Sequence, residues 1–500
     1  MKTNKEISVM NPKIKYSMLT ALAAALATVP VKALLYKPEK VNGAPFPEEN
    51  IDLERYRKNL SDAIKIKTIA EKDPELMNWE PFEEFHAFLK ERYPLIHEKL
   101  ELTVLAKGSL LYRWRGTNSS LNPIALLSHQ DVVPISEGTE NDWINPPFSG
   151  FDDGEFIWGR GALDMKNHLI AVMESVETLL QENFTPVRDV YICLGHNEEV
   201  MSSDSSGAIV MCNYFLENGI KLDCVIDEGG AILPVNVKGV INKNLAGIGV
   251  AEKGYVDVEV AVNAKGGHSS QAPNHTALGH LADVIKDIEN NQFKASLSPM
   301  MMELFDKIGR NVSYPARLVT CNLKLLKPLI TKAMTFIPPA ASMIRTTTGV
   351  TMASGSPAPN VLPQRATINV NFRTYPGQTV DDVVAHLRKV IKNKNVEINV
   401  KPGWKNPSKF SPTDSRCFKA LEEICYRMNN DTIIAPYLVM GGTDACHYEP
   451  VCDNIYRYSP FMVDTALLLT THGTNERIPV ATLKDGVAFF KRYIRIVSAE

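Results

Sequence analysis

The chain lacks the cysteine pattern of a disulfide scaffold or a thiolate metal site. Its eight cysteines are scattered and none forms Cys-x-x-Cys, and Cys193 and Cys224 lie inside apolar runs where a thiol packs as a small hydrophobe. Excess positive charge is missing too: 54 Lys and Arg face 57 Asp and Glu, a net charge of −3. Phosphate-backbone binding needs concentrated cations, so nucleic acid is excluded as the main partner. There is no internal repeat and no low-complexity tract. No apolar run reaches the roughly 20 residues that a membrane span needs. The nearest approach is Met18 to Val31, preceded by Lys13 and Lys15 and closed by Lys32. It has the length of a signal-peptide core or signal anchor, without a convincing Ala-x-Ala cleavage site. The expectation is a chain anchored in a membrane or exported through residues 18–31; the alternative is a mobile helical arm on a cytoplasmic protein.

What is present is an ordinary globular composition, 44% hydrophobic and 22% charged over 500 residues, too long for one compact core. After a polar, helical stretch from Glu48 to Leu100, short buried-strand runs alternate from Pro123 with longer amphipathic segments. That rhythm predicts an α/β domain with a mostly parallel sheet and helices on both faces. Three runs end in residues that bind metals: Ile124 to Leu127 before Ser128-His129-Gln130-Asp131, Val190 to Leu194 before His196-Asn197-Glu198-Glu199, and Cys224 to Ile226 before Asp227-Glu228. Ligand crevices of open α/β sheets lie outside the carboxyl ends of the strands, so the three should converge. Met165, Leu169, Val172, Met173, Val176, Leu179 and Leu180 recur near 3.6 residues and predict a helix from about Asp164, whose carboxylate suits a helix entrance. After Gly247 alternating strands appear, Tyr255 to Val262 and Ala366 to Phe372, around a helical Thr276 to Ile288. The reading is residues 1–44 as apolar segment and linker, 45–247 and 404–500 as the two parts of one domain, and 248–403 as an inserted α+β domain. Within the insertion, Lys294 to Thr351, rich in Met, Pro and Ser, forms a lobe or long loop.

Two imidazoles with several carboxylates and no thiolate suit zinc, with cobalt or manganese as substitutes. His129, Asp131, Asp164, Glu198, Glu199, Asp227 and His472 exceed what one ion needs. Two ions account for them: His129 and Asp227 on one, Glu199 and His472 on the other, Asp164 bridging. Two +2 charges then meet three carboxylates and one hydroxide and sum to zero. Asp131 reaches the free ring nitrogen of His129 as a supporting partner. Glu198 is left as the general base that takes a proton from water and passes it to the leaving amine. Singly, a His or Asp after a strand is more often a cap or a satisfied polar group. That bland role is given to His196, His86, His97 and His168.

"SHQDVVP", "GRGALDMKN", "HNEE", "DEGG", "GGHSSQAP" and "THGTNER" resemble the co-catalytic zinc peptidases that include aminoacylase, glutamate carboxypeptidase and succinyl-diaminopimelate desuccinylase. The likeness runs from about Ile51 to the C-terminus. Length, the lobe around Met300 and "GGTDACHY" look most like the vacuolar carboxypeptidase S and N-fatty-acyl-amino-acid hydrolase branch. The resemblance implies Asp164 as bridge, Glu198 as base, and the insertion as a lid that binds substrate and serves dimerisation. It maps His268 onto a holder of the scissile carbonyl oxygen, sometimes across a dimer, and Arg373 onto a reader of the substrate carboxylate, for which a guanidinium fork is suited. Asn360, Gly442 and Thr443 resemble further cleft elements. The implied reaction is hydrolysis of a small peptide or N-acyl amino acid to release an amino acid with a free carboxylate, with carboxypeptidase and aminoacylase chemistry both open. Met300, Met301, Met302, Leu329, Ile330, Phe336 and Ile337 line an acyl or side-chain pocket, or else are core or a membrane-facing patch. A silent binding protein on the same fold would have lost a ligand or Glu198, and a two-metal phosphoesterase would carry more cations than Arg160 and Lys166 near the ligands.

Overall fold

The computed structural model describes residues 28–38, 43–200 and 206–499. Most of the apolar run 18–31 therefore lies outside the described residues; among the described residues no helix is long and apolar enough to cross a membrane.

The three apolar runs form the fully buried strands Ile124–His129, Val190–Gly195 and Cys224–Asp227. A strand turns successive side chains to opposite faces, and here both faces are apolar. Leu126, Ile192 and Ile226 pack with the helices Lys166–Gln181 and Val480–Val497. Leu127, Cys193 and Val225 pack toward Gly207–Glu217 on the other side. Such unbroken burial requires helices on both faces. The sheet is nine-stranded, and its main path runs Glu101–Leu105, Ser109–Trp114, Val190–Gly195, Ile124–His129, Cys224–Asp227, Ile455–Arg457, Ile241–Glu252, Thr432–Val439. Its centre is parallel, with His129 in register with Gly195 and Leu126 with Ile226. Parallel register carries all three metal-type strand ends to one rim.

A second, antiparallel sheet of four strands orders Thr347–Ser354, Arg365–Arg373, Val256–Asn263 and Val396–Val400. Val256, Val258, Val260 and Val262 turn one face of it onto the helices Ala277–Asn290 and Val380–Val390, giving this unit its own core.

The Met-rich segment is helical rather than a loop: Pro299–Asn311, Tyr314–Thr320, Leu323–Met334 and Pro338–Ser342. Although it falls inside the insertion in sequence, Met300, Met301, Leu304 and Met334 join the core of the large sheet. The helix Pro299–Asn311 packs on the strand Thr432–Val439. A preceding helix, 28–35, lies against this lobe through Tyr36, whose hydroxyl donates to Asp306 Oδ1 at 2.7 Å.

Candidate metal centre

His129, the last residue of its strand, is buried. Its Nδ1 lies 3.0 Å from the Asp131 carbonyl oxygen, which only accepts, so the proton sits on Nδ1 and Nε2 faces the cleft. Nε2 stands 3.2 Å from Asp164 Oδ1 and 3.2 Å from Glu228 Oε1. Across the cleft His472 Nε2 is 3.1 Å from Asp164 Oδ2 and 3.0 Å from Glu199 Oε2. Each oxygen of one carboxylate thus faces a different imidazole, the arrangement a bridging ligand requires.

The loops carrying these groups are tied together by a buried ion pair. Glu476 receives Arg160 Nη1 at 2.6 Å and the backbone N–H groups of Leu163 and Asp164 at 2.8 and 3.1 Å. Arg160 in turn donates to the carbonyls of His472 and Gly473 at 3.1 Å. His472 adopts φ +60°, sparsely populated for a side chain with a Cβ and held here by those bonds. The helix begins at Lys166 without a side-chain cap, so Asp164 serves the cleft and not the helix entrance.

Asp131 does more than touch its neighbour. Its oxygens receive the N–H groups of Glu198 and Glu199 at 3.1 and 3.0 Å, which orients the adjacent glutamates, and Oδ1 lies 3.4 Å from His129 Nδ1.

The electrostatics call for cations. Burial, with Asp164 beside it, pushes the Glu228 carboxyl up to about 8; burial and Asp227 push Asp444 up to about 7. Burial also raises Glu198 well above the usual carboxylate range. Burial by itself would lower His129, yet Glu228, Asp131 and Asp164 hold it well above an ordinary histidine. Hydrogen bonds to Asp164 and Glu199 raise His472 to about 10. Glu199 Oε1 is buried with no hydrogen-bond partner. Buried acids held this far above the carboxylate range fit multivalent cations as their counter-charge. Among the described residues, His129 with Glu198 and Glu228, and His129 with Asp164 and Glu199, offer ligand atoms within 4.8 Å of one another. The donor set fits hard or borderline divalent ions.

One sequence expectation is corrected. Asp227, expected beside His129, does not face it; Glu228 does. Asp227 is in phase with Val225 and faces the side of the sheet where the short helix Asp444–Tyr448 packs. There it accepts the Ala445 N–H at 2.8 Å and the Glu228 N–H at 2.9 Å. The next residue along an extended chain turns the other way. Asp444, also unforeseen as a member of the acid cluster, presses so closely that a Cβ on Gly195 would come within 2.7 Å of its Oδ2. Both carry a signal in the sequence: Glu228 is half of the metal-type pair Asp227-Glu228, and Asp444 lies within "GGTDACHY". Arg160 and Glu476 carried no motif signal as a pair, being 316 residues apart.

The remaining predicted residues scatter. Thr443 is buried, with its N–H and hydroxyl donated to Glu252 Oε2 at 3.2 and 2.8 Å, so its side chain is spent on structure; Gly442 is exposed. His268 and Asn360 lie together on the small domain, where the Ser269 N–H donates to the Asn360 carbonyl at 3.0 Å, and His268 is exposed. Arg373 stacks over Tyr255, 4.7 Å from the ring centroid. Near it Lys253 is buried, donating to the Ser342 and Arg345 carbonyls at 3.0 Å. Burial and the Arg373 and Arg345 guanidinium groups pull Lys253 down to about 7. His196, His86, His97 and His168 find partners in Ser109, Gln130, Tyr112 and Ser459.

A cavity of about 640 Å³ opens between the helical lobe and the large sheet, with Asp164 and Glu228 at one end and Met301, Leu304, Phe305, Ile308, Met334 and Phe461 along its walls.

The description "Peptidase family M20/M25/M40" matches residues 125–496. The chain is 36% identical over 440 residues, 87% of its length and 84% of the other's, to probable carboxypeptidase S-like 2 of Dictyostelium discoideum. It is 32% identical over 450 residues, 88% and 86% of the two lengths, to N-fatty-acyl-amino acid synthase/hydrolase PM20D1 of Xenopus tropicalis. In fold it resembles the M20 family metallo-carboxypeptidase Sso-CP2 of Sulfolobus solfataricus, with TM-score 0.64, 20% identity, and coverage of 89% of this chain and 99% of that one.

Proposed function

The chain belongs to the peptidase family M20/M25/M40, and from that membership and the geometry around His129 we infer a dinuclear-metal hydrolase that cleaves an amide bond to release an amino acid with a free carboxylate. The observation that carries this is the single carboxylate of Asp164 set between two imidazoles, 3.2 Å from His129 and 3.1 Å from His472. One ion would be held by His129, Glu228 and Asp164 and the other by His472, Glu199 and Asp164, with zinc suited to this donor set. Such ions supply Lewis acidity toward water and the scissile carbonyl. Glu198 takes the proton of the attacking water and delivers it to the departing nitrogen, its backbone fixed by Asp131. The cationic group of Lys253, Arg345 and Arg373 makes no ion pair among the described residues, which supports a carboxylate-reading role. Burial of such groups without a fixed acid is costly unless a ligand compensates.

Between peptidase and N-acyl-amino-acid hydrolase chemistry, the apolar cavity abutting Asp164 and Glu228 favours an N-acyl amino acid with a long hydrocarbon acyl group. Its walls offer methylene-matching side chains and few polar atoms, and apolar burial scales with chain length. The deciding experiment compares N-oleoyl, N-acetyl and Gly-containing dipeptide substrates of one amino acid, with zinc and with chelator. The long acyl substrate should show the highest kcat/KM. Faster dipeptide cleavage would return the protein to a carboxypeptidase role, and indifference to chelator would sink the metal reading. The exposed His268 and Asn360 support action in the cleft of a second copy, through the small domain.

A further inference from the structure

We propose that the outer face of the helical lobe is a docking surface for an anionic lipid bilayer. The helix Leu323–Met334 presents the wrong face to solvent for a protein at rest in water. Its exposed positions, Lys324, Leu325, Pro328, Leu329, Lys332 and Ala333, recur at helical spacing and are apolar apart from the two lysines, and they run on into Phe336 and Ile337. Leu325 is 80% exposed and Phe336 75%. A surface helix normally turns such a stripe inward and its polar residues outward.

Charge identifies the occupant. No Asp or Glu occurs between Asp306 and Asp381, although the chain as a whole is slightly acidic. Lys324, Lys327 and Lys332 fringe the stripe in sequence, and Lys32 joins them from the helix 28–35, its Nζ 3.2 Å from Asn322 Oδ1. That helix brings Val31, Leu34 and Leu35 to the surface as well. Residues 28–31 of the apolar run belong to it, and it is bound to the lobe through Tyr314 and Tyr36. Apolar side chains inside a lysine fringe are the pattern of an interfacial helix: the former enter the headgroup boundary and the latter meet anionic lipid. A second copy docking here would set lysine against lysine, which is repulsive. On its inner side the same helix contributes Met334 to the cavity wall, so the docked lobe would set that cavity close to the bilayer. Vesicle binding is read without substrate, so its outcome does not depend on the hydrolase reading.

The test uses the full chain, floated with phosphatidylcholine vesicles with and without phosphatidylserine, beside L325E/L329E/F336E. The wild type should favour the serine-containing vesicles, and the bound fraction of the variant should fall about tenfold or more, with hydrolysis of a soluble N-acetyl substrate unchanged. A solvatochromic dye on Leu329→Cys should shift to the blue on binding. Flotation of the variant equal to wild type, no preference for phosphatidylserine, an unshifted dye, or a wild-type dimer that the triple substitution dissociates would each overturn the proposal.

Discussion

Glu198 and Glu199 are neighbours in sequence with different duties, and substitution separates them. Glu198→Ala should keep its metal by elemental analysis yet lose kcat by about 10²–10⁴, the range of a general base. Asp164→Ala should lose metal and activity together, because both imidazoles face its carboxylate. The pair at the next strand end makes a sharper comparison. Glu228→Ala should lower metal content, whereas Asp227→Ala should retain metal and unfold at lower temperature, by about 1–3 kcal/mol, because the Ala445 amide loses its acceptor. Metal loss in both variants, with no loss of stability in Asp227→Ala, would restore the sequence expectation. Glu252 gives a pH prediction. Burial would raise it, but Lys405 and Arg457 outweigh that and hold it at about 2. A depressed carboxylate stabilises the fold fully above its unfolded value of 4.5 and loses that contribution as pH falls toward 2. Urea denaturation between pH 5 and 3 should therefore show a decline that is smaller in Glu252→Gln, which starts from lower stability.

At the scale of elements, the two loops that meet at the cleft are joined by Arg160 and Glu476, and the helices that follow them, Lys166–Gln181 and Val480–Val497, pack against each other. Glu476→Ala leaves a buried guanidinium without its counter-charge and two backbone N–H groups without their acceptor, and should cost about 3–5 kcal/mol by thermal or urea unfolding, with weaker metal retention. A variant that binds metal as tightly as wild type would show the loops to be independently placed. Much at this scale was legible in the sequence. The strands Ile124–His129 and Val190–Gly195 announced themselves as short apolar runs, and the helix Lys166–Gln181 by its period. Less legible was the segment 299–342. Its helices are short, interrupted by Pro315, Pro328, Pro338 and Pro339, and their pattern mixes a cavity wall with an exposed apolar face, so no single periodic stripe stands out.

For the whole molecule, Arg373 is the side chain through which a role of the small domain at the cleft is tested. If Arg373 reads a carboxylate, replacing the substrate acid by its amide should cost the wild type far more in kcat/KM than it costs Arg373→Ala; equal penalties would assign Arg373 to its stack on Tyr255. The attachment of His129, Glu198, Glu199 and the Asp227-Glu228 pair to strand ends, and hence their meeting at one rim, was present in the linear chain, because a parallel sheet aligns carboxyl ends whatever lies between them; Asp164 and His472 reach the same rim on loops. Which of Asp227 and Glu228 faces the ions, that Thr443 is spent on Glu252, and that the Met-rich helices wall a cavity beside Asp164 depended on tertiary packing. A side chain's direction at a strand end, and the partner that claims it, are set by elements hundreds of residues away.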